Sequence, residues 1–325
     1  MLYIKKIIFR KFLYKKIGIM NSKKFSKIDG LLFPDGLHVF SRSINDLELR
    51  HILYVTQKTE IHELIDLKDN LLYAVKITKN KLFHESLNEI EILENLDHPN
   101  IIKFIYGYQD TKYVYLITEL CTMSLGKLIN DPSLINDKYI TGLPMKDALP
   151  IFKQILYALE YIHSKGIIHL DIKPNNIFIC NGIVKLADFG FSVKNKHPSK
   201  IIGTPLYISP ELLTKKFVKN STDIWSLGVT FYTILTNCNP FISREIITKK
   251  HSQIILFSNI RDGAYSLDEI PEDNPMYEII ELMLFNNPDE RPTAEQLLRD
   301  FDIFNSEPVK IEESPNPDLT DSIID

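Results

Sequence analysis

The chain has 325 residues, is 44% hydrophobic and 25% charged, and carries a net charge of −4. This is length for one large domain or two lobes with sizeable cores, in a composition typical of globular proteins. The mild acidity excludes a whole-molecule nucleic-acid binder driven by electrostatics, and no apolar run reaches membrane-spanning length.

The first 28 residues contain no acid but carry Lys5, Lys6, Arg10, Lys11, Lys15, Lys16, Lys23, Lys24 and Lys27, interleaved with Ile4, Ile7, Ile8, Phe12 and Leu13. Three readings stand for this segment. It is a basic amphipathic stretch suited to weak contact with an anionic membrane surface. It is an organelle-targeting peptide, although a Ser-poor one. Or it is a solvated extension, with Met20 as the true start. Apolar alternation then predicts strands over 47–55, 61–67 and 71–77. A helical pattern follows over 82–96 and ends at Asp97-His98-Pro99-Asn100. Two more strands, over 101–108 and 113–120, frame the turn Gln109-Asp110-Thr111. From about residue 124 helices dominate. One runs over 146–165, with Ile151, Ile155, Leu159 and Ile162 on one face and Gly166 as its stop. Further helices are expected over 222–235, 276–286 and 294–302. The tail from Ser306 holds Pro308, Pro315 and Pro317 among acids and reads as disordered. Cys121, Cys180 and Cys238 are far apart, with no Cys-x-x-Cys or Cys/His cluster. A disulfide framework and a zinc site are therefore not expected, and a reducing compartment, cytoplasmic or nuclear, is.

The chemistry concentrates in His169-Leu170-Asp171-Ile172-Lys173-Pro174-Asn175-Asn176 and, shortly after, Ala187-Asp188-Phe189-Gly190. Two acids, a lysine and an amide lie at short spacing. Pro174 interrupts them, so a loop carries them and not a helix. The apolar run 177–180, the turn at Gly182 and the run 183–187 read as a hairpin that delivers Asp188 at its exit. Oxygen ligands of this kind suit Mg²⁺ held against phosphates, and an acid beside a lysine suits the orientation of a hydroxyl.

These two segments resemble the catalytic loop and metal-binding loop of eukaryotic serine/threonine protein kinases. Tyr73-Ala74-Val75-Lys76 is similar to the family's lysine-bearing third strand, and Gly203-Thr204-Pro205-Leu206-Tyr207-Ile208-Ser209-Pro210-Glu211 to the end of its activation segment. The resemblance covers residues 47–303. It implies an α+β, bilobal fold with a small antiparallel-sheet N-lobe bearing one helix (47–120) and a larger, mainly helical C-lobe (121–303). A basic extension (1–46) and an acidic tail (304–325) flank the domain. It implies ATP with Mg²⁺, or Mn²⁺ in its place, as cofactor, and a Ser/Thr-bearing protein as substrate. No nucleic-acid partner is expected, and the oligomeric state is open.

Residue by residue, the resemblance makes Asp171 the acid that accepts or orients the substrate proton, and Lys173 the charge that neutralises the moving phosphoryl group. Asn176 and Asp188 become the metal ligands. Lys76 meets the α- and β-phosphates, placed by a helix acid. Glu85, Glu89 and Glu91 are available, and Glu89 fits best. Ala74 and Phe178 sandwich adenine, Ile61 joins the nucleotide contacts, and backbone groups of Glu119 and Cys121 hydrogen-bond the base. Thr118 falls at the gatekeeper position. His169 packs on Phe189 and, with Leu93 and Phe104, forms a spine. Thr204 bridges Asp171 and Lys173 and favours Ser/Thr over Tyr. Glu211 pairs with Arg291, and Asp223 anchors the catalytic loop.

Two departures from the family stand out. The turn between the first two strands, Tyr54-Val55-Thr56-Gln57-Lys58-Thr59-Glu60-Ile61, has no glycine. Glycines there let backbone N–H groups approach phosphates. Weaker nucleotide binding or a different lid pose is expected, with Lys58 as a substitute source of charge. Leu170 stands where many members carry the arginine that clasps a phosphorylated activation loop, so control that does not depend on Ser199 phosphorylation is expected. The runner-up function is a pseudokinase, a nucleotide-binding or scaffold module. A small-molecule phosphotransferase is disfavoured by Thr204, Glu211 and Asp223.

Overall fold

The computed structural model describes residues 47–57, 59–68, 70–79, 83–109, 112–130, 142–194, 202–214 and 217–304. The basic extension, Lys58, the turn residues Asp110 and Thr111, Ser199 and the acidic tail lie outside the described residues. The described chain divides into two compact units, 47–95 with 103–120, and 96–102 with 121–304.

The first unit is built on five antiparallel strands. These are β1 (Leu47–Val55), β2 (Thr59–Asp66), β3 (Leu72–Lys79), β4 (Phe104–Gln109) and β5 (Tyr113–Glu119), in spatial order β1-β2-β3-β5-β4. Alternation puts one apolar set on one face. Val75 lies opposite Ile117, Ile77 opposite Tyr115, and Leu64 opposite Tyr73. Leu64, Val75, Ile77, Tyr115 and Ile117 form a buried cluster. The helix of this unit, α1 (Phe83–Glu94), turns Ile90 and Leu93 inward. A side chain at Gly107 of β4 would lie 2.8 Å from Ile90 Cδ1, so glycine there is what admits the helix.

The second unit is mainly helical. A short strand and helix, β6 (Met123–Ser124) and α2 (Leu125–Ile129), lead to α3 (Met145–Ser164), whose buried stripe runs Ile151, Phe152, Ile155, Leu156, Leu159 and Ile162. Next come β7 (Ile167–Ile168), the hairpin β8 (Ile177–Cys180) and β9 (Ile183–Leu186), and β10 (Val193–Lys194). Asn181 and Gly182 both have positive φ, 51° and 73°, at the two-residue hairpin turn. Asn-Gly is the pair that tolerates such a turn best. Helices α4 (Pro210–Leu213), α5 (Asn220–Thr236), α6 (Arg244–Ile247), α7 (Ser252–Asp262), α8 (Pro275–Met283) and α9 (Ala294–Asp300) complete it. Helix α5 is buried along nearly its whole length, which makes it the central post. Phe231 on it stacks on Phe152 of α3, with ring centroids 3.8 Å apart.

The expected elements occur in the expected order, so the fold is α+β with a sheet-rich unit and a helical one. Three local differences have physical causes. The strand expected from residue 101 starts at Phe104. Ile101 forms a parallel bridge with Leu186, and Ile102 N–H donates to the Leu186 carbonyl at 2.9 Å. Residues 101 and 102 therefore belong to the second unit. Helix α7 has no counterpart among the elements expected from periodicity, because Ile254 and Ile255 on it are exposed and blur the apolar period. The short elements β6, β7, β10, α2, α4 and α6 are too brief to show periodicity. Among the described residues, no helix is long and apolar enough to cross a membrane.

Candidate active site

In the first unit, the β2–β3 register places Ile61 opposite Lys76, and β5 places Thr118 opposite Ala74. Lys76 Nζ donates to Glu89 Oε2 at 2.9 Å, joining β3 to α1. The Glu89 side chain is 4% exposed and the Lys76 side chain 23%, so the carboxylate is sequestered while the ammonium keeps access. Glu89 is thus the helix acid that meets Lys76, as expected, whereas Glu91 is exposed. Glu119, at the end of β5, donates its N–H to the Lys103 carbonyl at 3.1 Å and accepts from Lys103 N–H on its side chain at 2.6 Å.

The second unit holds the acid-rich loop. Its anchor is Asp223 on α5, fully buried. One Asp223 oxygen accepts from His169 N–H at 2.8 Å and lies 2.9 Å from His163 Nε2. The other accepts from Leu170 N–H at 2.8 Å. Two consecutive amides on one carboxylate force a tight bend, and Leu170 adopts φ 66°. The strain of left-handed backbone in a non-glycine residue is offset by the two charge-assisted hydrogen bonds. Asp171 then leaves the bend toward a second set of donors.

The Asp171 carboxylate accepts four hydrogen bonds. Thr204 N–H (3.0 Å) and Thr204 Oγ1 (2.7 Å) reach Oδ1, and Lys173 Nζ (2.7 Å) and Asn176 Nδ2 (2.9 Å) reach Oδ2. Lys173 Nζ also donates to Thr204 Oγ1 at 2.6 Å. The threonine hydroxyl thus gives its proton to Asp171 and takes one from Lys173, which matches its capacity of one donor and two acceptor sites. Gly203, with φ 95°, makes this approach feasible, because a Cβ there would lie 2.7 Å from the Leu170 carbonyl oxygen. Asn176 sits at the end of the turn Pro174–Asn176, and its amide nitrogen also reaches the Asp171 carbonyl at 2.9 Å. Both contacts occupy the nitrogen, so the amide oxygen is the atom left to serve a ligand.

Asp188, at the exit of β9, has φ 65°. The adjoining Ala187 N–H donates to the Asn176 carbonyl at 2.9 Å, tying the two segments together. Phe189 is fully buried and meets His169 edge-on, centroids 4.7 Å apart. His169 Nε2 lies 3.1 Å from the Ala187 carbonyl and so donates, while Nδ1 accepts Asp171 N–H at 3.3 Å. Both ring nitrogens are occupied in the neutral form. Burial holds this imidazole below its ordinary pKa, with Asp223, Asp171 and Asp188 opposing that shift. His169 is therefore a packing and orienting group and not a general base. Cys121 and Phe178 lie in this unit, both partly buried, with Phe178 on β8 opposite Ser124.

Metal binding can be tested on the donor chemistry. Among the described residues no cluster of three or more His, Cys, Asp or Glu side chains could cage an ion. Asn176 and Asp188 offer two hard oxygens, which suits Mg²⁺, an ion that takes one or two protein oxygens and completes its shell with phosphate and water. The residues present fit that ion.

Sequence reasoning names the loop, Thr204 and Asp223 but not His163 or Lys103. Each of these contributes through a partner distant along the chain, and neither stands in a motif. Glu211 and Arg291 meet as expected, at 2.9 and 3.0 Å.

Residues 57–301 match the protein kinase domain family. The chain is 29% identical over 308 residues to a ribosomal protein S6 kinase 2 alpha of Gallus gallus, covering 90% of this chain and 39% of that protein. It is 32% identical over 252 residues to the serine/threonine-protein kinase polo of Drosophila melanogaster, covering 73% of this chain and 40% of that protein. A probable myosin light chain kinase of Dictyostelium discoideum is 33% identical over 232 residues, 69% of each chain. The chain thus spans less than half the length of the first two relatives.

Proposed function

The chain belongs to the protein kinase family, and from that premise we propose that it transfers the γ-phosphate of Mg·ATP to serine or threonine hydroxyls of protein substrates. The observation that carries this reading is the closed Asp171–Lys173–Thr204–Asn176 network, with Lys76 paired to Glu89. A scaffold module that acts by contact alone has no need of so many aligned charges. The networked threonine supports Ser/Thr specificity by family resemblance.

Bound Mg·ATP supplies the phosphoryl group and the charge of its metal. The protein's part is positioning and electrostatics. Lys76, held by Glu89, binds the α- and β-phosphates. Asn176 and Asp188 hold the metal through oxygen. Ala74, Ile61 and Phe178 contact the base, and backbone groups of Glu119 and Cys121 hydrogen-bond it. Asp171 receives the substrate hydroxyl. All four of its acceptor positions are occupied in the resting network, so an incoming hydroxyl must displace one donor. Lys173 is the one to yield. Its side chain is 20% exposed, and its ammonium gains a new partner in the phosphoryl oxygens. The hydroxyl oxygen bonds to the γ-phosphorus as the bond to the β–γ bridging oxygen breaks, ADP leaves with that electron pair, and the hydroxyl proton passes to Asp171.

The deciding experiment is phosphate incorporation into a generic protein from Mg·ATP by the wild type and by Asp171→Asn. We expect loss of at least about a hundredfold in rate, the scale of positioned acid–base and electrostatic groups. Phosphoserine and phosphothreonine should be the products. Equal rates in the two proteins would sink the catalytic assignment and leave the scaffold reading.

A further inference from the structure

The tip of the β1–β2 hairpin closes on itself. Val55 pairs with Glu60, and Thr56 N–H donates to the Thr59 carbonyl at 2.8 Å. The return bond goes to a side chain, whose hydroxyl in turn donates to the Thr59 carbonyl at 3.2 Å. Thr59 N–H donates at 2.9 Å not to a carbonyl but to the Thr56 side-chain oxygen Oγ1. Lys79 Nζ on β3 donates to the Gln57 carbonyl at 2.9 Å, which ties the tip to the neighbouring strand as well.

Position matters here. Thr59 lies opposite Thr78, and Ile61 opposite Lys76, in the β2–β3 register. Directly opposed residues share a face, and so do residues two apart on one strand. Thr59 and Lys76 are therefore on the same face, the one carrying the proposed phosphate anchor. Thr59 also lies only two rungs from Lys76 along the β2–β3 pair, so a free amide at Thr59 would add an anion-binding N–H close to that anchor. In the closed tip this amide is committed to an internal oxygen, and an anion must displace that oxygen first. A donor already satisfied within the protein returns only the difference between two hydrogen bonds. Glycine at position 56 would carry no such oxygen.

We propose that the Thr56 hydroxyl is an internal cap on the lid. It stands where a phosphate oxygen would accept the Thr59 amide, and so it lowers the affinity for a nucleoside triphosphate relative to the bare nucleoside. This rests on the kinase reading for its ligand and adds the residue that replaces the family's open glycine lid.

The test compares the full chain with its Thr56→Val, Thr56→Ser and Lys76→Met variants. Valine keeps the branched shape and removes the acceptor, while serine keeps the acceptor. Two quantities are read: amide exchange at Thr59 without nucleotide, and dissociation constants for Mg·ATP and for adenosine by calorimetry. For Thr56→Val we expect exchange at Thr59 to rise about tenfold and Mg·ATP to bind about fivefold tighter, with adenosine unchanged, as one released amide predicts. Thr56→Ser should behave as wild type. Valine binding Mg·ATP no tighter than wild type, while Lys76→Met weakens it, would overturn the cap and leave the kinase reading standing. Mg·ATP affinity indifferent to Lys76→Met would instead remove the kinase reading, and the cap's function with it.

Discussion

Replacing Arg291 by Met removes five hydrogen bonds at once. Its guanidinium donates to Glu211 Oε1 and Oε2 at 2.9 and 3.0 Å and to the carbonyls of Phe285 (2.7 Å), Ser221 (2.8 Å) and Asn286 (3.3 Å). The arginine side chain is fully buried and the glutamate 3% exposed. Breaking one side of such a pair costs about 3–5 kcal/mol, because the remaining group stays desolvated. The two sides are not equivalent. After Glu211→Gln, the guanidinium keeps its three carbonyl acceptors and one amide oxygen. After Arg291→Met, the Glu211 carboxylate loses both bonds from its partner, and three carbonyls lose theirs. Glu211→Gln should therefore lie near about 3 kcal/mol and Arg291→Met near about 5. The double variant should cost clearly less than the two together, since removing both partners leaves no orphan charge. Urea unfolding is the assay. Trp225, the only tryptophan, reports on the second unit, with its ring 4.9 Å from the guanidinium carbon. Far-UV dichroism serves as a second probe because that ring feels the mutation directly. A cost under about 1 kcal/mol for Arg291→Met, or strict additivity, would refute the account of a desolvated, mutually dependent pair.

Other buried groups lead to further expectations. His169 is held below its ordinary value of 6.5 by burial, so below pH 6.5 the unfolded chain binds the extra proton first. Stability should thus fall as pH drops from 6.5 toward the folded-state value, at up to about 1.4 kcal/mol per pH unit from this group. His169→Phe should flatten that slope in urea unfolding series, and an unchanged slope would exclude His169 as its source. The Ser209 hydroxyl is fully buried with no hydrogen-bond partner among the described residues. Ser209→Ala should therefore raise stability by about 1 kcal/mol, and a loss of that size would mean the hydroxyl is satisfied in solution. Leu170 is 2% exposed and apolar, so it cannot clasp a phosphate. Stoichiometric phosphorylation of Ser199 should change the rate of phosphate transfer less than about twofold, and a large activation would refute this.

Much of the site is legible in the primary structure because its groups are close in sequence. Asp171, Lys173 and Asn176 lie within six residues, and a proline among them rules out a helix. The Asn181-Gly182 turn announces the β8–β9 hairpin that carries Asp188. Other parts leave no local mark. The partnership of His163 with Asp223 spans 60 residues and that of Lys79 with the Gln57 carbonyl spans 22, and neither residue type in isolation points to its partner. Helix α7 is illegible for a different reason, since its apolar residues do not all face the core.

The amino-acid sequence by itself determined the family, the order of strands and helices and the identity of the charged groups. These follow from local spacing, periodicity and turn chemistry, which need no long-range contact to be read. Tertiary structure decided that Glu89 is the helix acid paired with Lys76, how four hydrogen bonds converge on Asp171, and that His169 has both nitrogens occupied. It also decided the state of the lid. The absence of glycine there is plain from the residues alone, but only the closed hairpin shows the Thr59 amide already bonded to the hydroxyl of Thr56. Whether a donor is free depends on what lies within about 3 Å of it, and that is a property of the folded chain.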